Sequence, residues 1–234
     1  MKFNTSLLCF SLAFSFQWGT TQSNTDLLNH YKSYYSQMQQ QGDVQGVINA
    51  MTHLLILEPQ VVRQDTLAAL YMNEGKYVQA LNLLGIEKEV SDTDIAVEVK
   101  AVSLKSLNEP VRALEQYELL FKRLPSASLA YELADLKIQT NDIIGANLNI
   151  TYGIANASSE MMKPYYEMQT PYQVPLKAGF LYLKAIAKFR ENPESSHDAA
   201  IAILDKALAL AGNFNLASIA KNAIVSQKDE LNKN

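Results

Sequence analysis

The chain has 234 residues, 48% of them hydrophobic and 19% charged, which supplies enough apolar mass for a packed core and excludes a disordered polar chain. Gly and Pro number only 9 and 7, too few for the many tight turns of an all-β fold. The net charge of -4 has the wrong sign for attraction to phosphate backbones, and no run of Lys and Arg suits an anionic membrane surface, which argues against nucleic-acid partners and membrane-surface binding.

The N-terminus reads as a separate segment. Lys2 precedes an apolar stretch from Leu7 to Phe16, and polar residues begin at Gly19-Thr20-Thr21-Gln22. A positive start, a short apolar region and small residues after it describe a secretory signal peptide over residues 1–19, with cleavage as late as Ser23. A soluble first helix would show a polar face, and Leu7 to Phe16 has none. The stretch is also too short to span a bilayer, which takes about 20 apolar residues. The predicted location is therefore outside the cytoplasm, in the periplasm or cell envelope, with no membrane insertion of the mature chain. The single cysteine, Cys9, follows Leu8 rather than a small residue, so no lipid anchor is predicted. Cleavage removes that cysteine, leaving no disulfide and no thiolate metal site.

From Asp26 onward the chain repeats. Gly42, Gly75, Asn108 and Asn141 stand 33 residues apart, and each is followed by a polar residue: Asp43, Lys76, Glu109 and Asp142. Gly and Asn reach the left-handed backbone angles that end helices. The same spacing continues through Val47, Ala80, Ala113 and Ala146, where small residues allow close helix contact. It continues again through the large apolar Met51, Leu84, Tyr117 and Ile150, and closes at Pro59, Asp92, Pro125 and Ser158. Several columns in one register predict two antiparallel helices per unit over residues 26–158. Pro110 falls at the start of a second helix, where a missing N–H costs nothing.

The segment Gly42-Asp43-Val44-Gln45-Gly46-Val47-Ile48-Asn49-Ala50-Met51 through Leu57-Glu58-Pro59 resembles the second helix of a tetratricopeptide repeat, and Gly75-Lys76-Tyr77-Val78-Gln79-Ala80-Leu81 resembles it more closely still. Tyr34-Tyr35-Met38, Leu67-Ala68-Tyr71 and Ala101-Leu104 match the first helices. The pattern departs at Lys100 and Lys137, where apolar residues are expected, and at Gly85 inside a second helix. The resemblance implies an all-α solenoid of antiparallel helix pairs with a C-terminal capping helix. It also implies four TPR-like repeats over residues 26–158.

Beyond Ser158 the period breaks. Residues 159–175 form an insertion rich in Met, Tyr and Pro, and three prolines between Pro164 and Pro175 forbid a long helix there. Residues 176–212 resemble a fifth, degenerate repeat with Ala200, Leu204 and Ala207 as its core face. Residues 213–234 read as the capping helix, with Leu216, Ile219, Ala220, Ala223 and Ile224 turned inward.

No catalytic, cofactor or metal constellation emerges. His30, His53 and His197 lie far apart and lack metal-ligand spacing. No phosphate loop, nucleophile elbow or dinucleotide fingerprint is present. The acidic pairs Glu87/Glu89 and Asp92/Asp94 lie beside inter-helix turns, where capping explains them. The expectation is a non-catalytic scaffold that binds another protein or peptide, without cofactor or metal. The alternative is a structural or assembly component of a cell-envelope complex.

In the resembling family the fifth position of each first helix faces the concave groove. Here those positions are Lys32, Asp65, Glu98 and Tyr131, with Ser36, Gln39, Ala69, Met72, Asn73, Val102, Lys105, Asp135 and Ile138 as neighbours. Ser36, Thr66 and Val99 stand where family members that clamp a C-terminal carboxylate need other residues, so that specificity does not carry over. The insertion offers a second surface through Tyr165 and Tyr166, since Tyr and Met suit adaptable interfaces. The candidate partner-binding residues are thus Lys32, Asp65, Met72, Asn73, Glu98, Tyr131, Asp135, Tyr165 and Tyr166. The competing expectation is that the insertion folds back over an apolar flank.

Overall fold

The computed structural model describes residues 23–231. The predicted leader, with Cys9 and Trp18, lies outside the described residues. Two compact units divide the chain at Gln60/Val61.

In the first unit, α1 (Asn24–Gln41) packs on α2 (Val44–Leu57). Ser23 caps α1 by accepting the Asp26 N–H, and Asp43 caps α2 by accepting the Gly46 N–H at 2.8 Å. Between the helices Gly42 has φ 69°, and the Asp43 N–H reaches back to the Met38 carbonyl at 3.0 Å. Val47, Ile48, Ala50, Met51 and Leu54 form the buried face of α2.

The second unit contains α3 (Val61–Asn73), α4 (Tyr77–Leu84), α5 (Asp94–Ser106), α6 (Pro110–Arg123), α7 (Ala127–Gln139) and α8 (Ile143–Asn156). A two-stranded hairpin follows, β1 (Met162–Tyr165) and β2 (Tyr172–Pro175). Then come α9 (Leu176–Glu191), α10 (His197–Leu210) and α11 (Asn215–Leu231). Consecutive helices pack against each other, and α11 lies on α10 and α9. The fold class is all-α, and within this unit the helix pairs stack in chain order.

One local device recurs at the pairs α3/α4, α5/α6 and α7/α8. Gly75 has φ 70°, and Asn108 and Asn141, at successive 33-residue steps, have 60° and 64°, so both asparagines adopt the left-handed conformation of the glycine. The residue after each donates to a carbonyl five residues back: Lys76 to Tyr71, Glu109 to Leu104 and Asp142 to Lys137, at 2.8, 2.9 and 2.8 Å. This closes the first helix and aims the chain into the second. Ala80, Ala113 and Ala146 are fully buried at the crossing points, where only a methyl group fits between helices.

The departures from the repeat pattern have one physical explanation. Gly85, at φ 80°, ends α4 after eight residues, and residues 85–93 run as a loop. Lys100, only 1% exposed, extends its ammonium to the Asp92 carboxylate at 2.6 Å and the Glu87 carbonyl at 2.9 Å. Arg123 donates to the Asp92 and Val90 carbonyls at 2.9 and 2.7 Å and to Asp94 at 2.9 Å. The buried lysine therefore ties down a shortened repeat. Lys137 pairs with Glu118 at 3.2 Å.

The insertion contains an antiparallel hairpin, a feature the sequence patterns did not indicate. Its pairs are Met162↔Pro175, Lys163↔Val174, Pro164↔Gln173 and Tyr165↔Tyr172. The prolines occupy alternate pairs, the set in which neither residue exchanges N–H bonds with its partner. Their nitrogens therefore lie on the outer edges, where they remove donors that another strand would use. The insertion does fold back: Tyr165 and Val174 join the core formed by α7 to α11. Along α11, Ala217 and Ile224 are buried, whereas Ile219 is 55% exposed and Ala223 is exposed, contrary to the inward placement expected for them.

Candidate functional site

The structure gathers charged and aromatic groups from three elements of the second unit. Helix α5 contributes Lys105, α7 contributes Tyr131, Glu132 and Asp135, and β1 contributes Lys163 and Tyr165. On α7, residues 131 and 135 are one turn apart and 132 lies beside them, so all three project toward the same side. On β1, Lys163 and Tyr165 share a face because side chains alternate along a strand.

Glu132 sits at the centre. Its Oε2 accepts the Lys105 ammonium at 2.6 Å and its Oε1 accepts the Lys163 ammonium at 2.6 Å. Lys105 also reaches Asp135 at 2.7 Å. Burial alone would raise the Glu132 carboxyl and is the largest single influence. The two ammoniums together outweigh it and hold the group below its usual range. In the same way burial works to lower the Lys105 ammonium, but Glu132 and Asp135 raise it above an ordinary lysine. Glu132 and Lys105 are therefore both charged at neutral pH.

Beside this network lies an aromatic seat. The Tyr131 and Tyr165 hydroxyls share a hydrogen bond of 2.7 Å, and the Lys163 ammonium stands 4.8 Å from the centre of the Tyr131 ring. Tyr165 stacks on Tyr172 and leans on Phe214, and Tyr131 meets Phe180 edge to face. Gly179 makes room: a Cβ there would stand 3.0 Å from both the Tyr131 ring and the Tyr165 hydroxyl. Burial pushes both phenols well above their ordinary pKa, so they remain neutral donors and acceptors.

The predicted site residues divide. Tyr131, Asp135 and Tyr165 come together here. Tyr131 and Tyr165 are 4% and 8% exposed, so neither is the open contact residue expected; each is covered by the other. Asp65 is likewise no open groove residue, since it is 3% exposed and its carboxylate accepts the Thr93 hydroxyl at 2.6 Å. Thr93 in turn caps α5 by accepting the Ala96 N–H, which gives Asp65 a supporting role. Met72 is half-buried against Ala68, Ala80 and Val99. Asn73 and Glu98 are exposed, and Tyr166 is 72% exposed. Lys32 belongs to the first unit, where it lies 3.7 Å from Glu58.

Glu132, Lys163 and Gly179 were not among the candidates. One signal for Lys163 was available, since it is the only cation in the Met/Tyr/Pro insertion and needs an acidic partner once that insertion folds back. Among the described residues no group of His, Cys, Asp and Glu is arranged to hold a metal ion, and no helix is long and apolar enough to cross a membrane.

No protein-family model matches the chain, and no curated protein matches it. Solved structures do. A tetratricopeptide repeat protein from Parabacteroides merdae is similar with a TM-score of 0.60 at 15% identity, over 84% of this chain and 72% of that one. The MamA protein is similar with a TM-score of 0.57 at 16% identity, over 79% of this chain and 92% of that one. At such identities the likeness concerns the fold, and the fold is that of tetratricopeptide repeats.

Proposed function

We propose that this chain is an exported, non-catalytic scaffold that binds another protein at the face built by the hairpin and the adjoining first helices α5 and α7. The observation that carries this reading is the hairpin itself. A two-stranded hairpin is marginal on its own, yet this one is clamped by an ion pair and a tyrosine pair while presenting Tyr166, Met162 and Met168 outward. An exposed aromatic with neighbouring methionines is the usual make-up of an interface anchor. The tetratricopeptide fold supports a protein-binding role, and the apolar stretch from Leu7 to Phe16 supports export.

The test is crosslinked capture from the native cell, comparing the natural chain with Tyr166→Ala/Met168→Ala. The expected result is loss of the captured protein with helicity and melting temperature unchanged, since exposed positions away from special features change stability by less than about 0.5 kcal/mol. Capture that survives both substitutions moves the site elsewhere.

A second reading, a fixed component of an envelope assembly, draws on another feature. Val78, Val111 and Ile144 stand 33 residues apart at the same position of successive second helices and are 53%, 62% and 81% exposed. Loss of capture on Val111→Lys/Ile144→Lys, with Tyr166→Ala/Met168→Ala silent, would favour it.

A further inference from the structure

We propose that β1 is a resident ligand of the α7 face, so that a partner gains that face by displacing a Lys-x-Tyr segment of this chain's own. The proposal deepens the reading of this face as the binding surface and rests on it.

Three observations lead there. First, Lys163-Pro164-Tyr165 is bound in the manner of an extended peptide on a helical receptor. Its two same-face side chains enter separate subsites, the ammonium between Glu132 and the Tyr131 ring, the phenol between Tyr131, Phe214 and the bare backbone of Gly179. Glu132 is half-buried and shares the Lys105 ammonium with Asp135 through one oxygen, and it accepts the second ammonium through its other oxygen. Second, the rest of the hairpin is held mainly through β2 and its junction with α9, by buried Val174, by the Leu176 N–H on the Met161 carbonyl at 2.7 Å and by the Asn213 amide on the Gln173 carbonyl at 3.4 Å. Of the hairpin strands only Tyr165 and Val174 are buried, while Met162, Tyr166, Met168 and Gln173 face outward. Third, Pro164 and Pro175 blank alternate positions of the outer edges, so an incoming chain gains little by adding as a further strand. The recognition chemistry lies in the two subsites rather than in the strand edges.

The segment that competes has a cation two residues before a tyrosine, in extended conformation. With β1 seated, only the fraction of molecules in which it has lifted binds such a segment, and apparent affinity falls by that fraction.

The experiment uses a fluorescein-labelled peptide copying residues 160–166, titrated by anisotropy into the chain lacking its leader and into Lys163→Ala/Tyr165→Ala. The expected result is binding to the variant, at least roughly tenfold weaker binding to the natural chain, and none by a peptide with both subsite residues replaced by Ala. No binding to a variant of unchanged helicity, or equal binding to both proteins, overturns the proposal. Should the variant lose helicity, hydrogen exchange on the natural chain decides. Hairpin amides exchanging at least roughly tenfold faster than those of α7, and faster again in Glu132→Gln, support displacement. Hairpin and helix amides exchanging together overturn it. Failure here with capture still lost in Tyr166→Ala/Met168→Ala leaves the scaffold reading standing, whereas unchanged capture removes that reading as well.

Discussion

Replacing Gly153 by Ala tests the packing beneath the site. Gly153 lies on α8, and a Cβ built on it would stand 1.9 Å from Phe180 Cζ. Carbon atoms touch at about 3.5–4.0 Å, so the ring must retreat by more than about 1.5 Å. Phe180 is fully buried, its ring is rigid, and it packs T-shaped against Tyr131, so it cannot retreat without disturbing its neighbours. Overpacking of this kind costs about 1–3 kcal/mol, and this site belongs toward the upper end. Alanine recovers up to about 1 kcal/mol through better helix propensity. The net loss is about 1–2 kcal/mol, a fall in melting temperature of roughly 2–8 °C for a chain of this length. The matched control is Gly46→Ala. There the added Cβ meets Met38 Sδ and Cγ at 2.4 and 2.6 Å and the Asp43 carboxylate at 2.8 Å, all atoms of flexible side chains. That substitution should cost clearly less than Gly153→Ala, because these side chains can swing aside where a buried ring cannot. Thermal unfolding followed by circular dichroism reads both, and hydrogen exchange reads the hairpin. Because Phe180 supports Tyr131, Gly153→Ala should also speed exchange at Tyr165 and its neighbours. A neutral Gly153→Ala, or equal losses at both glycines, would refute the argument.

Lys100→Met removes the ammonium that donates to the Asp92 carboxylate and the Glu87 carbonyl. Asp92 retains some access to water, so the expected loss is about 2–4 kcal/mol in denaturant unfolding, with residues 86–93 losing exchange protection. A loss below about 0.5 kcal/mol would mean the loop holds itself. The ionic network predicts a pH profile with two limbs. The Glu132 carboxyl is held below the ordinary glutamate range in the folded chain, so its contribution is present above the unfolded pKa and disappears as pH falls through the folded pKa. The Lys105 ammonium is held above 10.5, so its contribution is complete below that value and disappears as pH rises through the folded pKa. Glu132→Gln should flatten the acid limb of the stability profile; an unchanged acid limb would show that the network contributes nothing there.

What was legible in the sequence was whatever depends on neighbours close along the chain. Gly42, Gly75, Asn108 and Asn141 announce helix ends because left-handed backbone is open to glycine, which has no Cβ, and tolerated by asparagine wherever they stand. Ala80, Ala113 and Ala146 announce crossing points because helical spacing and size alone decide which residues meet. Even Gly85 and Lys100 were visible as departures from the pattern, although their connection through the loop at 85–93 was not.

The site depended on contacts that no local pattern encodes. Asp65 and Tyr131 occupy positions that face a groove when only repeats are present. Each is buried by a partner contributed from far along the chain, Thr93 in one case and Tyr165 in the other. The prolines of the insertion excluded a helix but did not specify a strand, because proline forbids more than it prescribes. Strand pairing across residues 162–175 exists because Tyr165 and Val174 find apolar cover on α7, α9 and the start of α11, and because Lys163 finds Glu132. Helix, turn and repeat followed from the sequence by itself, through short-range sterics and periodic burial. Which polar groups are covered, and by whom, only the tertiary structure decided, because a buried charge or phenol is determined by the partner that replaces its water.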